Sequence, residues 1–271
     1  GTYTITGTDA NGCTASDSMV IDVLSVDITQ NDTTICEGDF INLISNIFNS
    51  ANLGSKLVPG NISCETEYIN VSGCNGQSSI LYNGYEYDLV EIGGQCWFKE
   101  NLRTSHYSEG TPIFYPDSDN TAWGNNISGA YAWWQNDSTN SMSSNGALYN
   151  GYAVSNDLGV CPVGWQVPSD CDFMYLENSL GMGIQDQQAF IHLDDFGNTG
   201  RGTDQGSQLK SLNFGGNNSS GFTLETTGFR EWHGNNFGNV NNAQIWTSTN
   251  NIARGFKPNN PKISKATENP N

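Results

Sequence analysis

The chain has 271 residues, with 28 acidic and 10 basic side chains and a formal net charge of −18 at pH 7. This balance excludes nucleic acid as a partner, because phosphate binding needs clustered Lys and Arg, and no apolar run is long enough to span a membrane. An acidic surface rich in Asn and Gly is instead typical of an extracellular or outer cell-surface protein that its charge keeps soluble.

The first predicted element is a β-hairpin within residues 1–24. Polar and apolar side chains alternate over residues 2–6, and a second strand-like run follows at residues 19–23. Asn11-Gly12 lies between the two runs, and an Asn-Gly pair in that position is a strong hairpin signal. Residues 25–75 lose this periodicity and are too short for a whole sandwich domain, so we interpret them as a partial repeat or a linker.

Residues 76–271 form the predicted main domain, in which long loops rich in Gly and Asn separate short elements. A hairpin is predicted around Gly93-Gly94, and a short helix near residues 206–212. Strand-compatible segments, several of them aromatic, lie at residues 130–134, 148–154, 221–224 and 244–248. Few helices, short strands and long loops predict an irregular α+β domain.

The clearest helix signal covers residues 169–181. Ser169 is a good N-cap, and Asp172, three residues later, can complete a capping box. Phe173, Leu176 and Leu180 then fall on one helical face, which we expect to be buried.

Four short segments carry a family resemblance, because they occur along the chain in the same order as in that family. The most specific is Cys161-Pro162-Val163-Gly164-Trp165 within residues 161–170, and the others lie at residues 92–102, 146–150 and 246–249. From about Tyr82 onward the chain resembles the Fibrobacter succinogenes major paralogous domain, a module of bacterial secreted and surface proteins. The resemblance implies a C-type-lectin-like fold and a place in a larger multidomain surface protein.

Each end of the chain differs from the proteins that it resembles. Residues 1–18 are similar to the closing hairpin of Ig-like repeats in large bacterial surface adhesins, where the Cys after Asn-Gly bonds an earlier strand. That strand is absent here, so Cys13 is expected to be single. Family members close with a further Cys-containing strand, and after Lys262-Ile263-Ser264 this sequence soon stops. We therefore expect the domain to lack its last strand.

The seven cysteines have neither zinc-ribbon nor redox spacing, and disulfides are the default in an extracellular composition. Cys74 and Cys96 both flank the first strands of the main domain, so we expect them to bond. Because the closing Cys of the family is missing, one of Cys161 and Cys171 should lack a partner. A bond between those two is the alternative.

No motif supports catalysis. The three histidines lack metal-ligand spacing, and neither a nucleophile elbow nor a phosphate-binding loop is present. Thiol chemistry between Cys96 and His106 is less favoured than a disulfide at Cys96. Formylglycine-generating oxidases have a distantly similar fold, but they need a late copper-binding cysteine pair, and no Cys follows Cys171. We expect a protein without enzymatic activity and without a required cofactor.

Seven tryptophans make carbohydrate recognition the leading binding hypothesis, because aromatic faces stack on sugar rings. Trp97, Trp165 and Trp246 lie beside Cys, Pro or strand motifs and are expected to be core. Adjacent residues on a strand point to opposite faces, so one of Trp133 and Trp134 should be exposed. The ligand residues we predict, on the loops after Leu102 and Phe222, are Trp134, Asn136, Asp137, Trp232 and Asn235.

Calcium is the one cofactor that the sequence leaves open. Asp117, Asp119 and Asn120 offer hard oxygen ligands at close spacing. The segment lacks the glycine and distal glutamate of an EF-hand loop, and the sugar-binding triplets of calcium-dependent lectins are absent. A solvated turn is therefore the favoured interpretation.

Three functional hypotheses follow. The first is a non-catalytic module for adhesion or for recognition of an extracellular ligand such as a glycan. The second is a purely structural display domain, and the third is an enzyme. An exposed Trp beside Asn or Asp would favour recognition, a fully buried set of Trp would favour display, and convergent His and carboxylates in a cleft would favour an enzyme.

Overall fold

The computed structural model describes residues 2–8, 14–20, 55–56, 64, 69–70, 73–139, 145–194, 198–238 and 241–270. The chain divides into two compact units, Gly1–Gly54 and Ser55–Asn271. Among the described residues, no helix combines the length and the apolar character needed to cross a membrane.

The first unit contains the predicted hairpin. Strands β1 (Thr2–Thr8) and β2 (Thr14–Val20) pair antiparallel, with Thr2 opposite Val20 and Thr8 opposite Thr14. The strands confirm the hairpin expected from the Asn-Gly signal. The turn itself, Cys13 and Cys36 lie outside the described residues.

The second unit begins earlier than the boundary expected at residue 76. Strands β3 (Ser55–Lys56) and β4 (Ile69–Asn70) pair within the segment that we interpreted as a partial repeat or linker. Between them, Cys64 is bonded to Cys171, with 5.6 Å between the Cα atoms. This covalent link explains why the segment from Ser55 onward clusters with the larger unit.

The largest sheets described in the second unit are two three-stranded antiparallel sheets. The first consists of β5 (Ser79–Tyr82), β6 (Tyr85–Ile92) and β7 (Gln95–Phe98). Its β6–β7 turn is the predicted Gly93-Gly94, where positive φ angles of 61° and 81° suit glycine. The second sheet consists of β12 (Ala243–Trp246), β13 (Ile252–Phe256) and β14 (Ser264–Thr267).

Short hairpins and helices fill the rest. The two-stranded pairs are β8 (Tyr131–Ala132) with β9 (Leu148–Tyr149), and β10 (Phe229–Arg230) with β11 (Phe237–Gly238). The helices are α1 (Asn120–Gly124), α2 (Gly151–Val154), α3 (Asp170–Ser179), α4 (Ile184–Gln188) and α5 (Gln205–Leu209). Small helices with antiparallel sheets make the domain α+β, as predicted, and α5 confirms the short second helix.

Three predicted strands are shorter than expected. The segment at 130–134 keeps only β8 before a 3₁₀ turn over Trp134–Asn136, and that at 148–154 keeps β9 and then becomes α2. The change to α2 has a local cause, because the Asn150 side chain accepts from the Ala153 N–H and caps the helix. Residues 221–224 contribute only an isolated bridge at Leu224.

Helix α3 confirms the strongest helix prediction. The Ser169 hydroxyl accepts from the Asp172 N–H, and the Asp172 carboxylate accepts from the Ser169 N–H. Leu176 is 0 % exposed and packs with Phe173 in the main hydrophobic cluster. The Trp97 ring lies 5.2 Å from that of Phe173 and takes the packing role expected of it.

Because the other side of α3 is buried as well, its acidic groups need partners inside the core. Glu177 Oε1 lies 2.6 Å from Arg201 Nη2 and 2.7 Å from Arg254 Nε. The two Asp170 oxygens each lie 2.6 Å from a cation, Arg254 and Lys265. Burial alone would raise the pKa of Glu177, but Arg254 and Arg201 outweigh it and lower that pKa. These five residues are the α3 charge network.

The cysteines confirm two predictions. Cys74 and Cys96 are bonded, with 4.8 Å between the Cα atoms, and Cys161 is free. The alternative Cys161–Cys171 bond is wrong, because Cys171 bonds Cys64 instead. Burial raises the pKa of the Cys161 thiol to about 12, so the thiolate that would react as a nucleophile is scarce near neutral pH.

Candidate recognition site

The candidate site is a hairpin that carries an exposed tryptophan at its tip. Residues 229–238, the Trp232 hairpin, consist of β10, a loop over residues 231–236, and β11, with Arg230 opposite Phe237. The Glu231 N–H donates to the Asn236 carbonyl at 3.0 Å, and the Gly234 N–H donates to the Glu231 carbonyl at 2.8 Å. On this closed loop, Trp232 is 54 % exposed.

The base of the hairpin is held by Arg230, which is only 6 % exposed. Its Nη1 donates to the Asp117 carbonyl and to Asn136 Oδ1, both at 3.1 Å. Its Nη2 donates to Asn120 Oδ1 at 3.3 Å. One guanidinium therefore ties the hairpin to two separate loops and to the first residue of α1.

Aromatic rings complete the environment of Arg230. Its guanidinium carbon lies 4.6 Å from the centre of the Trp123 ring and 5.2 Å from that of Phe237, both within cation–π range. In the part of the chain that the structure describes, no carboxylate lies within ion-pair distance of this guanidinium. Burial lowers the pKa of Arg230, while Tyr115, Asp117 and Asp119 oppose the change.

Side chains at the tip hold the loop in one shape. His233 Nε2 lies 3.0 Å from Glu231 Oε2, and His233 Nδ1 accepts from the Asn235 N–H at 3.3 Å. Because Nδ1 accepts, the ring proton belongs on Nε2, where it faces the carboxylate. Asn236 Nδ2 also donates to Glu231 Oε2 at 3.2 Å. The indole of Trp232 lies edge-on to the His233 ring, with 5.1 Å between the ring centres.

The expectation that Trp134 presents its ring to a ligand is wrong. Trp134 is 4 % exposed, its ring lies 5.4 Å from that of Phe237, and a Cβ at Gly228 would overlap it. The physical reason is that β8 ends before Trp134, and positive φ angles at Gln135 and Asn136 break the alternation assumed for a strand. The indole therefore belongs to the support of the hairpin.

The other predicted ligand residues fall around the same hairpin. Asn136 uses its side-chain oxygen to accept from Arg230, while Asn235 and Trp232 are exposed on the tip loop. Asp137 is exposed one residue after Asn136, and its Oδ1 accepts from the Thr139 N–H and hydroxyl at 2.8 and 2.7 Å. Ligand binding by these residues stays a prediction.

The calcium candidates converge on the same place. Asp119 caps α1 by accepting from the Ala122 N–H at 2.9 Å, and the Asp117 carbonyl and Asn120 side chain bind Arg230. The guanidinium of Arg230 is thus hydrogen-bonded to oxygen atoms of Asp117 and Asn120 that a calcium ion would need as ligands. Among the described residues, no group of three His, Cys, Asp or Glu side chains is arranged to hold a metal. Calcium binding stays a prediction.

The sequence signals that we used missed Arg230 and Trp123. The rarity of basic residues is the signal that points to Arg230, because the chain has only 10 Lys and Arg side chains. A single Arg between aromatic and Gly/Asn-rich segments stands out in so acidic a chain. Its partners were predicted to have other roles, Asn120 in binding calcium and Asn136 in binding a ligand.

A groove of about 600 Å³ lies elsewhere in the second unit, along residues 154–167 with Ser108 and Ser248. Trp165 lines it and packs against Phe98, with 4.5 Å between the ring centres and a tilt of 46° between the ring planes. None of the predicted ligand residues lines this groove, so it is a separate feature from the Trp232 hairpin.

The comparisons with known proteins give one match. The family model described as the Fibrobacter succinogenes major domain matches residues 90–262, which is well over half of the chain. The matched range contains α3, the Trp232 hairpin and every residue that contacts Arg230. No curated protein matches, and no solved structure matches.

Proposed function

The chain belongs to the Fibrobacter succinogenes major domain family, and from this premise we propose that it is a non-catalytic recognition module. Its ligand is extracellular, and the Trp232 hairpin is the surface that binds it. The single observation that carries the proposal is a tryptophan 54 % exposed on a hairpin whose base is buried. A large aromatic side chain left in water costs free energy that a ligand can recover by covering it.

The chemistry of the hairpin suits a sugar. The Trp232 indole offers an apolar face for stacking, and Asn235 beside it offers amide donors and acceptors. The tip loop is closed by its own hydrogen bonds. Little conformational entropy is then lost on binding, and this preorganisation favours affinity.

The charge around the hairpin restricts the kind of sugar. Acidic residues lie at the base and the tip of the hairpin: Asp117 and Asp119 act electrostatically on Arg230, Asp137 follows Asn136 in sequence, and Glu231 is on the tip loop. The chain as a whole carries −18, so a polyanionic glycan would be repelled. A neutral or amine-bearing glycan is the ligand class that fits.

The setting of this function is a bacterial surface. We infer that the second unit has the C-type-lectin-like fold and that the first-unit hairpin is the end of an Ig-like repeat. The small helices and long loops of the second unit support the first inference, and the regular β1–β2 register supports the second. From both inferences we propose that the domain is part of a secreted or cell-surface multidomain protein.

The test is a glycan-array screen of the full chain, followed by calorimetry on any hit. Trp232→Ala should abolish binding and leave the melting temperature nearly unchanged, because the side chain is largely in water. Phe190→Ala is the matched control, since Phe190 is 57 % exposed away from the hairpin, and it should bind normally.

Two outcomes would overturn the proposal. A glycan that binds Trp232→Ala as tightly as the unmodified chain would move the site elsewhere. A screen without any hit would favour the second hypothesis, a display domain whose role is structural.

A further inference from the structure

Five Asn-Gly pairs occur in the chain, and their surroundings differ sharply. They begin at Asn11, Asn75, Asn83, Asn145 and Asn150. In such a pair the glycine amide nitrogen can attack the Asn side-chain carbon, since no Cβ on the glycine obstructs the approach. We propose that the Asn75-Gly76 turn is the fastest site of spontaneous deamidation among the described pairs of the folded protein, that Asn83 reacts more slowly, and that Asn145 and Asn150 are protected.

The reaction balances with water as its only co-reactant. The Gly76 nitrogen loses its proton to solvent and forms a bond to Asn75 Cγ, and ammonia leaves with the former amide nitrogen. The resulting five-membered succinimide is opened by water at either carbonyl. The product is aspartate, or isoaspartate with one extra methylene in the backbone, and either adds one negative charge at position 75.

The Asn75-Gly76 turn has the freedom that this attack needs. Both residues are exposed, and no hydrogen bond of the Asn75 side chain or the Gly76 N–H falls within the described part of the structure. A Cβ at Gly76 would meet nothing within 4 Å.

The Asn83-Gly84 turn is a natural comparison. It is also exposed, and its φ angles of 48° and 80° closely match those of the first turn, 52° and 78°. The difference is that the Asn83 side chain is held, because its Nδ2 donates to Thr104 Oγ1 at 2.5 Å and the side chain also interacts with the Tyr82 hydroxyl. The side chain must break this bond before it can rotate toward Gly84, so reaction should be slower.

The remaining described pairs are held more firmly. Asn145 Nδ2 donates to the Thr226 carbonyl at 2.8 Å, and Gly146 is buried against Asn101. Asn150 is 1 % exposed, and its Oδ1 accepts from the N–H groups of Ala130 and Ala153. The Gly151 N–H, the nucleophile of that pair, donates to the Pro270 carbonyl. Asn11 lies outside the described residues.

The position of the turn gives the modification a consequence. The preceding Cys74 is bonded to Cys96, and its N–H donates to Glu91 Oε2 at 3.1 Å. A new carboxylate at the next residue would repel Glu91, and the extra methylene would lengthen the chain between the disulfide and β5. The start of the first sheet should therefore loosen as the protein ages.

The experiment is peptide mapping by mass spectrometry after incubation of the folded protein at mildly alkaline pH, with isoaspartate detected by enzymatic methylation. Deamidation at Asn75 should be roughly fivefold faster than at Asn83, because breaking one hydrogen bond costs a net free energy that slows a reaction by about that factor. Asn145 and Asn150 should stay unmodified. Thr104→Val should raise the rate at Asn83 toward that at Asn75.

Denaturant provides the control. In the unfolded chain the described pairs should react at similar rates, because only the fold distinguishes them. The proposal is overturned if Asn75 reacts no faster than Asn150 in the folded protein, or if Thr104→Val leaves the rate at Asn83 unchanged. Asn75→Gln should remove the earliest modified peptide, and its persistence would also contradict the assignment.

Discussion

Two regions of the second unit bury arginine side chains, and they do so in opposite ways. In the α3 charge network, Arg201 and Arg254 share the carboxylate of Glu177, and both guanidinium groups are fully buried. Under the Trp232 hairpin, the partners of Arg230 among the described residues are carbonyl and amide oxygens and two aromatic rings. One arrangement pairs charges, and the other solvates a single charge with neutral groups.

The difference indicates two roles. A buried ion pair contributes little net stability, but removing one partner leaves an uncompensated charge and is strongly destabilising. Removing a guanidinium that is held by neutral oxygens leaves no opposite charge unpaired, so less stability is lost. Its planar set of donors fixes the relative positions of the groups it binds. The α3 charge network therefore supports the fold, and Arg230 positions the surface that displays Trp232.

The largest expected effect comes from neutralising the shared carboxylate. Glu177→Gln keeps the size of the side chain but leaves buried Arg201 without its carboxylate and Arg254 with Asp170 alone, and it should cost about 3–5 kcal/mol of unfolding free energy. Denaturant titration measures this change. Glu109→Gln, at an exposed position, should stay within about 0.5 kcal/mol. A loss below about 1 kcal/mol would show that the network does not support the fold.

Removing Arg230 should cost less. Arg230→Met leaves the oxygens of Asp117, Asn120 and Asn136 without their donor, and we expect a loss of about 2–3 kcal/mol in unfolding free energy. Arg230→Lys keeps the charge but lacks the planar set of guanidinium donors. Its unfolding free energy should therefore lie between those of the unmodified chain and Arg230→Met. Both variants should lose glycan binding, and retention of full binding by Arg230→Met would separate the hairpin base from recognition.

The buried cation Lys210 extends the comparison, because its protonation should depend on pH. Lys210 is fully buried, its Nζ donates to the carbonyls of Lys257, Pro258 and Asn260, and burial lowers its pKa from 10.5 to about 8. Between these pH values the unfolded chain binds the proton and the folded chain does not. The Lys210 contribution to stability therefore rises with pH across that window.

Lys210→Met tests this directly. Its unfolding free energy, followed from pH 7 upward, should lack the rise that the unmodified chain shows above pH 8, because no proton is released on folding. Parallel curves for the two proteins would mean that the three carbonyls hold Lys210 charged throughout, as the oxygens around Arg230 hold that guanidinium.

The smallest effect should come from the helix cap. Ser169→Ala removes the side-chain half of the capping box on α3 and should cost about 1 kcal/mol. Ser219→Ala, at an exposed loop position, is the control and should be neutral. An equal loss in both variants would point to a general serine effect and not to the cap.

The parts of the fold that were predictable have local causes. Ser169 and Asp172 are three residues apart, and the Gly93-Gly94 turn joins adjacent strands, so short-range patterns sufficed for both. The hydrogen bonds of Arg230 join residues 94 to 113 positions apart, and Cys64 and Cys171 are 107 apart. No pattern within one window can anticipate such pairings.

The prediction for Trp134 failed for a related reason. Strand alternation was assumed through residues 130–134, but the chain leaves β8 before Trp134 and turns through positive φ angles at Gln135 and Asn136. Those angles leave Asn136 with its side-chain oxygen on Arg230. The distant arginine, invisible to local patterns, is therefore part of what distinguishes the supporting Trp134 from the displayed Trp232.

Amide hydrogen exchange of Arg230→Met tests this comparison most directly. The account predicts that the Glu231 and Gly234 amides, hydrogen-bonded within the hairpin loop, lose protection, because their anchor is gone. The Phe173 amide of α3 and the Leu180 amide at its C-terminal cap should exchange more slowly than the loop amides in both proteins. Equal loss of protection in α3 and the loop, or an unchanged loop, would contradict the assignment of Arg230 to the hairpin.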